Sequence, residues 1–183
     1  MKVIKILALV IFGGIGFILF ILYATVKTKS TSLKSYEPYK ELIGKALVMQ
    51  KETYLFKDET TMIQNHDFPY TLMDDLHPRW AYFQEGKAMP EVGITEILTF
   101  PKGVVFHVEK AIQYTNGVSG SSYPTLFGTI DYQGDVYKVS YPWGERDIDK
   151  AFRNVPECWQ FHQAPWQETP DTTWYALPTA TIW

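Results

Sequence analysis

The sequence predicts a mainly β domain, residues 36–183, set behind an N-terminal transmembrane helix, residues 1–26, and a linker, residues 27–35. Three observations carry that prediction. Aromatic residues make up 16% of the 183, with 12 Tyr, 11 Phe and 6 Trp, and such rings suit pleated, half-buried surfaces. Apolar and polar residues alternate with a period of two between residues 104 and 114. Residues 6–26 carry no charge at all. A chain of this length fits one domain plus an anchor.

The uncharged run is "ILALVIFGGIGFILFILYATV". At about 1.5 Å per residue it extends about 30 Å, the thickness of a bilayer's hydrocarbon core. Gly13, Gly14 and Gly16 are acceptable in such a helix. Gly13 is followed at i+4 by Phe17, so the G-x-x-x-G dimer pattern is absent and the helix is expected to face lipid. A cleaved signal peptide fits less well, because the run exceeds an apolar region of about 7–15 residues and no A-x-A follows. A buried core helix would be shorter. The basic start "MKVIK" favours export of the domain, although Lys27, Lys29 and Lys34 pull the opposite way under the positive-inside tendency. The expectation is a single-pass signal-anchor protein of the inner membrane with its domain in the periplasm.

The remaining elements follow in order. "KTKSTSLKS" is small, polar and unpatterned, hence the linker. "YEPYKELIGKALV" opens with a turn of helix, and "KALVMQKETYLF" reads as a strand. Residues 57–93 lack periodicity and form a long loop insertion, with "PYTLMDDL" able to supply a helical turn. "ITEILTF" leads through "PKG" into "VVFHVEKAIQY", where Val104, Phe106, Val108, Ile112 and Tyr114 share one face and Val105, His107, Glu109, Ala111 and Gln113 the other, with Lys110 as the break. "TLFGTIDY", "QG" and "DVYKVSYPWG" make a hairpin. "ERDIDKAF" is a short helix. The tail from Val155 holds four of the six Trp among four Pro, too much apolar area to leave in water. It is expected to wrap the sheet and to end with a strand in "TTWYALPTATIW".

The strand order and the turns "PKG", "QG" and "PWG", over residues 45–145, resemble a bacterial SH3-like barrel. That resemblance implies a small antiparallel β-barrel or sheet carrying the loop insertion and the Trp/Pro-rich C-terminal tail. The ALYDY-type motif and the tandem Trp pair are absent, so recognition of proline-rich peptides does not carry over.

Charge and cysteine content exclude several functions. All 20 Asp and Glu fall at Glu37 or later, against 12 of the 17 Lys and Arg, so this part of the chain carries a net −8. Phosphate backbones would repel it, which argues against nucleic acid and is compatible with a basic partner. Cys158 is the one cysteine, so no internal disulfide, CxxC pair or lipobox exists, and a buried apolar role is expected.

Candidate chemistry centres on "HDFPYTLMDDLHPRW". His66, Asp67, Asp74, Asp75 and His77 offer ligand atoms, but no HExxH, HxH or CxxC spacing, and Pro69 and Pro78 prevent a continuous helix that would align them. The glycine-punctuated acidic loop of a calcium site is missing too. Cys158 and His162 at i, i+4 would meet only on a helix, and Pro156 and Pro165 bracket the segment. His107 and Glu109 share a strand face, yet no oxyanion hole or orienting group is marked. No catalytic, cofactor-binding or metal residue is therefore predicted. The stretch is expected to be a partner-binding loop comprising His66, Asp67, Asp74, Asp75, His77, Arg79 and Trp80.

The function expected is a membrane-anchored, non-enzymatic binding protein of the cell envelope with a protein partner. An immunity-type protein that neutralises a toxic enzyme is one form of it. An accessory subunit of an envelope complex and a membrane-tethered hydrolase are the alternatives.

Overall fold

The computed structural model describes residues 2–60 and 65–180, without the side chains of residues 2–10 and 90. Helix α1, Lys2–Val26, runs through three glycines and is followed at once by strand β1, Lys29–Ser32. Its side chains from Ile11 onward are almost all exposed. Among the described residues no helix is long and apolar enough to cross a membrane. Residues 6–10 of the apolar run lie outside the side chains described. This overturns the transmembrane signal-anchor, and with it the single span, the membrane as partner and the inner-membrane placement.

The expected small antiparallel barrel is likewise replaced by a mixed, eight-stranded sheet with short helices. Its strands are β1, β2 (Ala46–Val48), β3 (Thr53–Asp58), β4 (Tyr70–Met73), β5 (Ile94–Phe100), β6 (Val105–Thr115), β7 (Ser122–Tyr132) and β8 (Asp135–Pro142). The order is β1-β6-β7-β8-β4-β3-β5, with β2 beside β1 on the same edge of β6. Among the described residues every pairing is antiparallel except β4 with β8, where Tyr70 faces Val139 and Thr71 faces Ser140. The 27–35 segment is thus not a spacer: β1 pairs with residues 112–115 of β6. "KALVMQKETYLF" breaks into β2 and β3, which join different neighbours. β5 and β6 flank "PKG" without pairing, since Gly103 donates to the Met49 carbonyl and β5 pairs with β3.

The β7–β8 hairpin turns on Gln133 (φ 55°) and Gly134 (φ 93°), both in the left-handed region that a tight two-residue turn requires. In β6 a register shift between Val108 and Lys110 inserts an extra residue. Phe106 and Val108 point into the core before it, and Ala111, Gln113 and Thr115 after it. A bulge exchanges the faces, as a one-residue slip must.

The main core lies on one face of the sheet, around Trp143, Tyr141, Tyr39, Phe100 and Phe106. Tyr39 sits on the four-residue helix α2 (Tyr39–Leu42) and donates its hydroxyl to the Trp143 carbonyl. The tail closes this core: Cys158, Trp159, Phe161 and Ala164 are buried in it, and Phe161 meets Trp143 with ring centroids 4.6 Å apart. Strands β9 (Glu145–Arg146), β10 (Glu157–Gln160) and β11 (Tyr175–Ala176) form a second, small sheet. The last strand is only two residues long, and residues 181–183 lie outside those described. Helix α4, Ile148–Phe152, links β9 to β10. A smaller cluster of Phe56, Met73, Phe83 and Ile94 packs beneath helix α3, Trp80–Lys87.

Candidate functional site

"HDFPYTLMDDLHPRW" contains strand β4 rather than a helical turn, and α3 begins at its last residue. Pro69 and the Asp74–Asp75 pair delimit the strand, and two neighbours, β3 and β8, hold it. Asp74 and His77 are buried, which removes them from any partner surface. His66, Asp67, Asp75 and Arg79 remain exposed, and Trp80 is half-buried against Tyr54.

Asp74 closes a polar network. Its Oδ1 accepts from the Leu76 N–H at 2.9 Å and lies 3.5 Å from Lys51 Nζ, which is also 2.6 Å from Asp75. Its Oδ2 accepts from the Tyr141 hydroxyl at 2.8 Å. That hydroxyl has one hydrogen, so at 3.0 Å it accepts from His162 Nε2–H. Burial, then the Asp74 charge, hold Tyr141 well above the ordinary phenol range. His162 is pushed down to about 3, by burial first and by His77 second. Its Nδ1 is buried without a partner.

His77 is held neutral by the same logic. Nδ1 accepts from the Arg79 N–H at 3.0 Å, so Nε2 carries the hydrogen and donates to the Pro142 carbonyl at 2.8 Å. Burial lowers its pKa, against the pull of the Pro142 bond and the Asp74 charge. Both nitrogens are engaged, leaving no ring atom to move a proton to or from a substrate. Cys158 is buried on β10, where an extended chain carries it away from His162. His107 and Glu109 are exposed on β6. Among the described residues no three His, Cys, Asp or Glu side chains gather as a metal site would need.

The face of the sheet away from the main core floors an open cleft of about 1190 Å³. Its floor includes a row of cross-strand neighbours, Thr71, Ser140 and Phe127, on β4, β8 and β7. Phe68 from the 65–69 loop packs on Phe127, and Lys110 lies over both rings, 4.6 Å from the Phe68 centroid. The 116–122 connection and the 144–148 segment form the other walls. Tyr114 and Tyr123, cross-strand partners on β6 and β7, line one end, with Tyr123 47% exposed.

Beside the cleft stands α4. Ile148 and Phe152, one helical turn apart, are 78% and 89% exposed, with Val155 exposed behind them. The helix is nevertheless firmly held. Asp147 caps its first turn through the Lys150 N–H, and its own N–H donates to the Cys158 carbonyl at 2.7 Å. Asn154 (φ 58°) ends the turn, and Lys150 Nζ sits 3.1 Å from the Trp174 ring centroid. The helix expected in "ERDIDKAF" is Ile148–Phe152, with Glu145–Arg146 in β9 instead, and five residues give no sign of which side faces water. Tyr141 and Lys51 are equally silent in sequence, because their partner Asp74 is distant along the chain. Comparison with protein-family models, curated proteins and solved structures finds no match to this chain.

Proposed function

We propose that the chain is a non-enzymatic protein-binding domain that docks through the α4 knob, in the manner of an immunity-type protein that neutralises a toxic enzyme. The observation that carries this is the exposure of Ile148 and Phe152 on a helix capped at both ends. Two large apolar side chains exposed on a backbone fixed by its caps are the anchors an interface uses, since that backbone has little freedom left to give up on binding. The net −8 from Glu37 onward steers a basic partner toward the domain. The internal engagement of His77 agrees with a role without catalysis. The exposed apolar residues of α1 form another surface; nothing in the structure shows what covers it, and the proposal does not rest on it.

A photo-crosslinking residue at position 152, introduced in producing cells, tests this. The expected adduct is a heterologous basic protein whose yield falls at least tenfold with Ile148→Asp, while the melting temperature stays unchanged. Adducts with a second copy alone, or none, would overturn it.

A further inference from the structure

We propose that the cleft over the outer face of the sheet binds a neutral oligosaccharide, in a site that borders the α4 knob at Ile148 and leaves Phe152 outside it. Charge narrows the ligand first. The lining carries Lys57, Arg79 and Arg146 against Asp58, Glu59 and Glu145, a balance found in a domain that is otherwise strongly acidic. Lys57 and Glu59 also bind each other at 2.7 Å. Such a wall offers hydrogen-bond donors and acceptors in comparable number and no net field, which suits an uncharged, polar ligand.

The floor excludes the commonest alternative. An extended peptide gains affinity by hydrogen bonding to a free strand edge. Here the β4, β8, β7 and β6 backbones are engaged in ladders with each other. What the cleft presents is side chains: the hydroxyls of Thr71, Ser119, Ser121 and Ser122, and the amide of Asn65. These can pair with the hydroxyls of a sugar, each of which both donates and accepts.

Aromatic placement supplies the second half of the recognition. Tyr114 and Tyr123 face each other across β6 and β7 at one end, and the half-exposed Tyr123 ring offers an apolar surface beside polar groups. A pyranose has just such a pair of surfaces, an apolar C–H face and a hydroxyl rim. The volume exceeds the roughly 300–1,000 Å³ of ordinary small-molecule sites, so several sugar units fit.

Isothermal titration of the full chain with soluble hexasaccharides of β-1,4-glucose, β-1,4-mannose and β-1,4-N-acetylglucosamine tests the proposal. A hexamer of galacturonate and a neutral, polar hexapeptide serve as comparison arms. The expected result is binding of at least one neutral hexasaccharide, weakened tenfold or more by Tyr123→Ala with an unchanged melting temperature. Absence of binding by all three at millimolar concentration would overturn it. So would stronger binding of the uronate or the peptide, or an affinity indifferent to Tyr123→Ala. Phe152→Asp should leave sugar binding intact, so failure here and failure of docking at α4 are separately visible.

Discussion

The Tyr141 hydroxyl donates to Asp74 Oδ2 over 2.8 Å, with both side chains fully buried. The bond links the end of β4 to β8, beside the parallel pairing, and it orients His162 through the same oxygen. Tyr141→Phe leaves Asp74 Oδ2 and His162 Nε2 unpaired and should destabilise the fold by about 1–3 kcal/mol. Asp74→Ala should cost about 3 kcal/mol or more, because it also removes the acceptor of the Leu76 N–H and one of the two carboxylates beside Lys51. In urea denaturation the double variant should fall well short of the sum, as for groups in one network. Additive losses would mean that the two side chains act independently.

The two histidines of the 66–77 stretch should behave oppositely. His66 is exposed, and His66→Ala should change stability by less than about 0.5 kcal/mol. His77→Ala removes a ring bonded at both nitrogens and should cost about 1–3 kcal/mol. Equal effects in thermal denaturation would contradict the burial of His77.

Acid should unfold this domain earlier than its carboxylates alone require. His162 has a folded-state pKa of about 3, depressed from 6.5, and His77 is shifted the same way. Between pH 6.5 and about 3 the unfolded chain binds a proton at His162 that the folded chain refuses. Stability is therefore fully present above pH 6.5 and declines as pH falls through this window. The limiting slope is about 1.4 kcal/mol per pH unit for one such group. Melting temperatures from pH 7 to 4.5 should show the decline, and His162→Gln should flatten it. A profile that is flat from 6.5 to 4.5 in the parent chain would rule out the neutral, buried pair.

Gly128 should tolerate no side chain. A Cβ there would collide with the His107 carbonyl of β6, next to the bulge that draws the two backbones together. Gly128→Ala is expected to destabilise by about 2 kcal/mol or more. Gly134→Ala, in open space but at φ 93°, should cost only about 1–2 kcal/mol. Chemical denaturation of the two variants checks the order.

What could be read from sequence was local. The alternation in β6 and the "QG" turn mark the β6–β7–β8 meander because their signals lie within a dozen residues. The break at Lys110 is visible, but its meaning is not. Only the register with β7 reveals a bulge that sends Ala111 and Gln113 inward and turns Tyr114 to the cleft. β1 is polar, and β4 is four residues between turn formers; each is a strand because of a partner far away in the chain. Likewise, two aspartates side by side look alike in sequence, yet Asp74 is buried against Tyr141 and Asp75 remains in solvent. The apolar length of residues 6–26 was plain in sequence, and the span inferred from it did not survive among the described residues.

The parallel pairing of β4 with β8 divides the large sheet along the chain. Residues 53–100 supply β3, β4 and β5, each bonded within that group, and residues 105–142 supply β6, β7 and β8. The two groups meet at a seam of two residue pairs, Tyr70 with Val139 and Thr71 with Ser140, reinforced by Ser140 Oγ donating to the Tyr70 carbonyl at 3.0 Å. Each half can form hairpin by hairpin, while the seam must wait until residue 140 has been made and placed. Loop closure over such a separation slows its formation. The sheet should therefore assemble as two consecutive cooperative units, and native-state hydrogen exchange should find the amides of the seam opening at lower free energy than the interior of the β6–β7 ladder.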